Sequence, residues 1–183
     1  MRPAAVVAAA MCLHAHASVA DAPLLRPNRD VDVTYRAAAA NQPEHRVRWL
    51  ARQILRIDPP GTGLYVIIDY MARRMSVVRV ATRSVVEMAA PDSMTEVLGG
   101  KGAGSYVRHG EATVAGLGCT EWQTQDRQQR PALVCLTSDG VPLRGGTLDQ
   151  TLVSAVPVTY APQNTALFHI PEDYTVHTVR GTP

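Results

Sequence analysis

The segment GLGCTEWQTQDRQQRPALVCLTSDGVPLR, Gly116 to Arg144, sets two cysteines on either side of a polar stretch, and that arrangement constrains the fold more than any other feature of the chain. If the chain reverses within Asp126-Arg127-Gln128-Gln129-Arg130, centred on Arg127, then Glu121 meets Leu133, Thr120 meets Val134 and Cys119 meets Cys135. Directly opposed residues on antiparallel strands lie within disulfide reach. The pair is therefore expected to staple a hairpin, contributing about 3 kcal/mol by restricting the unfolded chain. A zinc site would require about four ligands at regular spacing, and no histidine stands close to either cysteine. A redox pair would take the Cys-x-x-Cys form, which the segment lacks.

A structural disulfide implies an oxidising compartment, and the N-terminus agrees with it. Met1 to Ala20 reads as a secretory signal: Arg2 as a short positive region, an apolar run from Ala4 to Leu13, and small residues ending in Ser18-Val19-Ala20. The run is too short to span a bilayer. Cys12 follows Met11, where a lipid-attachment signal requires a small residue, so it belongs to the leader. Residues 21–183 are expected to form a single periplasmic domain, long enough for a real core and without a membrane span. The formal net charge is +2 and falls closer to neutral without Arg2, which argues against nucleic acid as a partner. Lys101 is the single lysine; the remaining cations are arginines.

Short strands dominate the rest of the chain. Val31, Val33 and Tyr35 alternate with Asp30, Asp32, Thr34 and Arg36, the period of a half-buried strand. Leu64 to Ile68 and Arg74 to Val80 read as a hairpin, and Arg83 to Met88 continues the meander. Asp139-Gly140 marks a tight turn. Leu152 to Tyr160 and Ala166 to Ile170 are expected to be late strands, with Pro157 at an edge or a bulge. The segment HRVRWLARQILRIDPP fits either a helix or two strands broken near Arg52, and its local pattern does not decide between them. Asp92 to Leu98 is expected to form a short helix capped by Asp92 and stopped by Gly99. Gly99 to Ser105 lacks the ending of a phosphate loop and reads as a flexible connection.

Read in order, RDVDVTYR, RIDPPGTGLYVIIDYMARRMSVV, GEATVAGLGCTEWQ, LVCLTSDGVPLR and TYAPQNTALFHIPEDY resemble an uncharacterised family of exported Gram-negative bacterial proteins. That family is similar to the LolA-like lipoprotein carriers and to a related domain of unknown function. The resemblance covers roughly Asp30 to Tyr174. It implies a mainly β fold, a curved antiparallel sheet forming an incomplete barrel, with one or two short helices as a lid over the concave apolar face. It also favours strands for Arg46 to Asp58. In the carriers the concave face holds acyl chains, and no single catalytic or binding residue transfers from them.

Candidate site residues follow from side-chain type and position. Tyr35, Trp49, Tyr65, Trp122 and Phe168, with Val33 and Ile67, are candidates for an apolar cavity and equally for ordinary core. Arg46, Arg48, Arg52 and Arg56 form a basic stripe in the strand reading, suited to lipid headgroups or an acidic protein partner, or simply to a solvated face. His45, His109, His169 and His177 lack metal-ligand spacing, so neither metal nor cofactor is expected. His109 and Glu111 are the best catalytic pair, but no nucleophile accompanies them and no Gly-x-Ser-x-Gly context exists. Taken with these residues, the resemblance to the carriers implies a non-enzymatic protein that binds a lipid or a lipoprotein acyl chain. An envelope interaction or structural module comes second and a hydrolase third.

Overall fold

In the computed structural model, which describes residues 22–39, 41–90, 106–126 and 128–179, the alternating segments fold as strands. They are β1 (Val31–Ala37), β2 (His45–Leu50), β3 (Ile54–Asp58), β4 (Leu64–Asp69), β5 (Arg74–Arg79) and β6 (Ser84–Ala89), followed by β7 (Val107–Val114), β8 (Leu117–Gln125), β9 (Pro131–Leu136), β10 (Pro142–Gly146), β11 (Thr151–Tyr160) and β12 (Thr175–Thr178). All join one sheet in the order β12-β6-β5-β4-β3-β2-β1-β11-β10-β9-β8-β7. The sheet is thus two sequential meanders, β1 to β6 and β7 to β11, joined where β1 pairs with β11. Every pairing is antiparallel except that of β12 with β6. The sheet is mainly antiparallel, open and curved, as expected for the fold class.

The ambiguous arginine-rich segment resolves into β2 and β3. Val47 and Trp49 pair with Ile57 and Leu55, so both strands present apolar residues on one face and charged residues on the other. That register places Val47, Trp49 and Leu55 together in the core, Leu55 fully buried and Trp49 2% exposed, and leaves the arginines on the other face. The turn between them puts Arg52 at φ 56°, and equivalent turns put Arg73 at φ 51° and Arg83 at φ 48°. At the Asp139-Gly140 turn, Gly140 has φ 90°, and an added Cβ would lie 2.3 Å from the Arg26 carbonyl oxygen. Glycine is required there by both backbone angle and contact. Pro157 sits where the β1–β11 register shifts between Val33 and Tyr35, a bulge inside the sheet and not an edge.

Three expectations are corrected. Thr165–Phe168 is a 3-10 turn and no strand forms over Ala166 to Ile170. Asn164 caps the turn by accepting the Ala166 N–H at 3.0 Å, so a local polar side chain overrides a short apolar run. The β8–β9 hairpin reverses about Gln128 and not Arg127, which moves every pairing by two residues, so that Glu121 pairs with Cys135 and Gln125 with Pro131. Cys119 and Cys135 are bonded diagonally, with Cα atoms 5.5 Å apart. The expected helix over Asp92 to Leu98, the glycine-rich connection and the leader lie outside the described residues.

The main core fills the inner face. Val31, Val33, Val47, Trp49, Leu55 and Ile68 pack with Val141, Leu143, Ala155 and the cystine. A second cluster, Tyr65, Ile67, Val78 and Val85, lies on the outer face of β4 to β6, against Ile170 and Tyr174 of the C-terminal segment.

Candidate functional site

The inner face holds an apolar cavity of about 300 Å³. Its walls come from Tyr35 of β1, from His45, Val47 and Trp49 of β2, and from Leu55 and Ile57 of β3. Val134 of β9, Pro142, Arg144 and Gly145 of β10, and Val153 of β11 complete it. Register explains the grouping, because Tyr35 opposes His45, Val47 opposes Ile57 and Trp49 opposes Leu55. The exposed wall is entirely apolar, so His45 and Arg144 contribute carbon to it and keep their nitrogens outside. The Arg144 guanidinium is held by Glu121.

Tyr35 fixes the wall. Its hydroxyl donates to the Pro142 carbonyl at 2.5 Å, tying β1 to β10 across β11. Burial, helped by the neighbouring Tyr160, pushes its phenol far above the ordinary tyrosine range, so it remains a donor. Its ring meets Trp49 edge to face, with centroids 6.4 Å apart. Trp49 is only 2% exposed and Leu55 is fully buried, whereas His45 is half-buried. Trp49 and Leu55 are thus among the most deeply buried of the cavity's walls, with Val47, and His45 is among the half-buried ones.

The predicted cavity residues do not stay together. Tyr35 and Trp49 line the cavity and Val33 belongs to the core beside it. Tyr65 and Ile67 face the opposite side of the sheet, in the outer cluster. Phe168 is buried in the C-terminal turn, whose Leu167 carbonyl accepts from Arg56 on that same outer face. Trp122 is buried between Arg108 of β7 and Val134 of β9 and does not reach the cavity. The helical turn at Thr165–Phe168 lies against the outer face, and the Asp92 to Leu98 helix expected to serve as a lid lies outside the described residues. Val134 and Val153 were missed because their strands meet β1 only through long-range pairing.

The basic stripe is neutralised. Asp32 takes Arg46 at 2.5 Å and Arg48 at 3.3 Å; Asp58 takes Arg48 at 2.5 Å and Arg56 at 2.7 Å. Arg56 also donates to the Leu167 carbonyl at 2.6 Å and lies 3.8 Å from the Tyr65 ring centroid. Arg52 leaves the stripe for the β2–β3 turn, where its N–H donates to the Pro27 carbonyl at 2.9 Å. What alternation presents as a row of cations is a ladder of ion pairs anchoring the C-terminal segment. Asp30 accepts the N–H groups of Ala51 and Gln163, each at 2.9 Å, and fastens the same segment.

The catalytic candidates are not assembled. A more polar cavity of about 550 Å³ is lined by Glu111, Thr120, Ser138 and Cys119, without His109. Glu111 pairs with Arg108, and His109 is exposed at the β7 bulge. Among the described residues, no group of three His, Cys, Asp or Glu side chains is placed to hold a metal. Nor is any helix of those residues long and apolar enough to cross a membrane.

No protein-family model matches the sequence, and no curated protein matches it. Solved structures do. An uncharacterised conserved protein from Thermus thermophilus superposes with TM-score 0.58 and 16% identity, over 83% of this chain and 91% of that one. PNGF-II superposes with the same TM-score and 12% identity, over 83% of this chain but only 31% of its own. MucB in complex with MucA(peri), at TM-score 0.49, and a LolA superfamily protein from Nitrosomonas europaea, at 0.37, are looser likenesses. At these identities the first two define a shared fold alone.

Proposed function

We propose that this chain is a periplasmic, non-enzymatic protein that binds a hydrophobic ligand, a lipid or a lipoprotein acyl chain, on the inner face of its open sheet. The observation that supports the reading most directly is the cavity between β1–β3 and β9–β11, apolar over its whole exposed wall. Its volume of about 300 Å³ lies at the small end of ligand-binding pockets. Export is supported by the signal-like Met1 to Ala20 and by the Cys119–Cys135 bond, which suits an oxidising compartment.

The test is native mass spectrometry of protein exported to the periplasm and purified without detergent. A reproducible lipid adduct, lost when Trp49 is replaced by a charged residue while the fold persists, is the expected result. A clean apo mass, together with failure to take up any apolar ligand, would overturn the reading. An envelope protein partner is the second reading. It is favoured by β7, an eight-residue strand at the end of the sheet whose Val107 is 57% exposed, since an open edge accepts an added strand. On that reading the edge, and not the neutralised arginine ladder, is the surface to mutate.

A further inference from the structure

The geometry of the cavity points to a narrower class of ligand: a single-chain amphiphile, bound tail first, with an oxygen-bearing head beside His45. The inference rests on the hydrophobic-ligand reading above and adds chain number, chain length and polarity. Chain number follows from volume. A cavity of about 150 Å³ holds one benzene, so the 300 Å³ here accommodates roughly a dozen carbons and not the chains of a diacyl lipid.

Direction follows from burial along β2. Exposure falls from half-buried His45 to 9% at Val47 and 2% at Trp49, so a chain enters at His45 and stops against Trp49 and Leu55. No polar atom is presented inside the cavity, and a head group drawn past Val47 would lose its hydration without gaining a partner. The head therefore remains at the mouth. The His45 imidazole sits there with no hydrogen bond or ion pair among the described residues, while the Arg144 guanidinium is already engaged by Glu121. An imidazole N–H donates to a carboxylate or phosphate oxygen and offers nothing to a quaternary ammonium. No acidic residue lines the cavity, so nothing there repels an anionic head.

Calorimetric titration of the delipidated full chain with a series of straight-chain carboxylates, from hexanoate to octadecanoate, tests this. Each added methylene should tighten binding about fourfold until the tail fills the cavity, after which affinity should level off, near a dozen carbons. Dodecyltrimethylammonium should bind about tenfold more weakly than dodecanoate, and His45→Ala should erase that difference while leaving the length at which affinity levels off unchanged. Ile57→Trp, which fills the cavity, should shorten that length. Val153→Leu serves the same purpose should the larger residue unfold the protein.

Affinity that keeps rising through octadecanoate, or equally tight binding of a diacyl phosphatidylglycerol vesicle, would overturn the single-chain inference while leaving a hydrophobic-ligand protein. Equal affinity for the carboxylate and the ammonium would overturn the role of His45. Absence of binding by every alkyl ligand would overturn the hydrophobic-ligand reading as well.

Discussion

Two side chains show how position decides the worth of a charge. Arg46 and Arg56 both pair with aspartates, but the Arg46 side chain is 54% exposed and the Arg56 side chain 15%. Arg46→Ala should cost under about 1 kcal/mol, because water screens an exposed pair. Arg56→Ala removes the Asp58 pair, the bond to the Leu167 carbonyl and the stacking on Tyr65, and should cost about 2–3 kcal/mol in urea unfolding. Asp139 gives the pH counterpart. Burial alone would raise its value, but hydrogen bonds from Thr137, Tyr160 and Arg29 outweigh burial and hold it below the ordinary 3.8. A carboxylate with a lowered folded value adds stability above its unfolded value and loses it as pH falls through the folded one. Unfolding free energy should therefore drop below about pH 4, and Asp139→Asn should be less stable at neutral pH and lose less on acidification. Urea titrations of both proteins at neutral and acidic pH check the sign.

Elements differ in how far their signals are local. Strand β1 was legible through its alternation, β4 as a continuous β-branched run, and β5 and β6 because each follows its partner closely. The turns were less so, since Arg52, Arg73 and Arg83 adopt positive φ where glycine would have announced it. The β8–β9 register was misjudged because Asp126 caps an asymmetric turn. Its carboxylate accepts the N–H groups of Gln128 and Arg130, both at 2.9 Å, and moves the point of reversal beyond Arg127. The cystine was legible despite that error, because its spacing tolerates a diagonal bond as well as a direct one. Cys119→Ser should lower stability by about 3 kcal/mol without abolishing ligand binding, since neither cysteine lines the apolar cavity. Titration of the non-reduced, exported protein should find neither sulfur reactive, and two free thiols would contradict the bond. The cavity itself was only half legible. Tyr35 and Trp49 lie on early, alternating strands, but Val134 and Val153 reach it through partners far away in sequence, which no local pattern encodes.

Across the whole molecule, the C-terminal segment acts as a strap over the outer face. It covers Tyr65, Ile67, Val78 and Val85 and ends in β12 beside β6, with Arg83 paired to Asp173. Deleting residues 161–183 should re-expose that cluster. Each side chain returned fully to water costs about 1.5–3 kcal/mol, so the truncated protein should melt markedly lower and bind an apolar dye on its outer face. Retention of full stability would show that the strap is merely laid on the sheet. The seam between the two meanders bears on something else, the timetable of assembly. A chain emerging N-terminus first can pair β1 to β6 as each strand appears, yet the second edge of β1 must wait for Thr151–Tyr160. Closing so long a loop is entropically unfavourable and slow. Until it closes, Val31, Val33 and Tyr35 stand on an open edge, and the newborn protein is most vulnerable to sticking to its neighbours where the finished one is most securely joined.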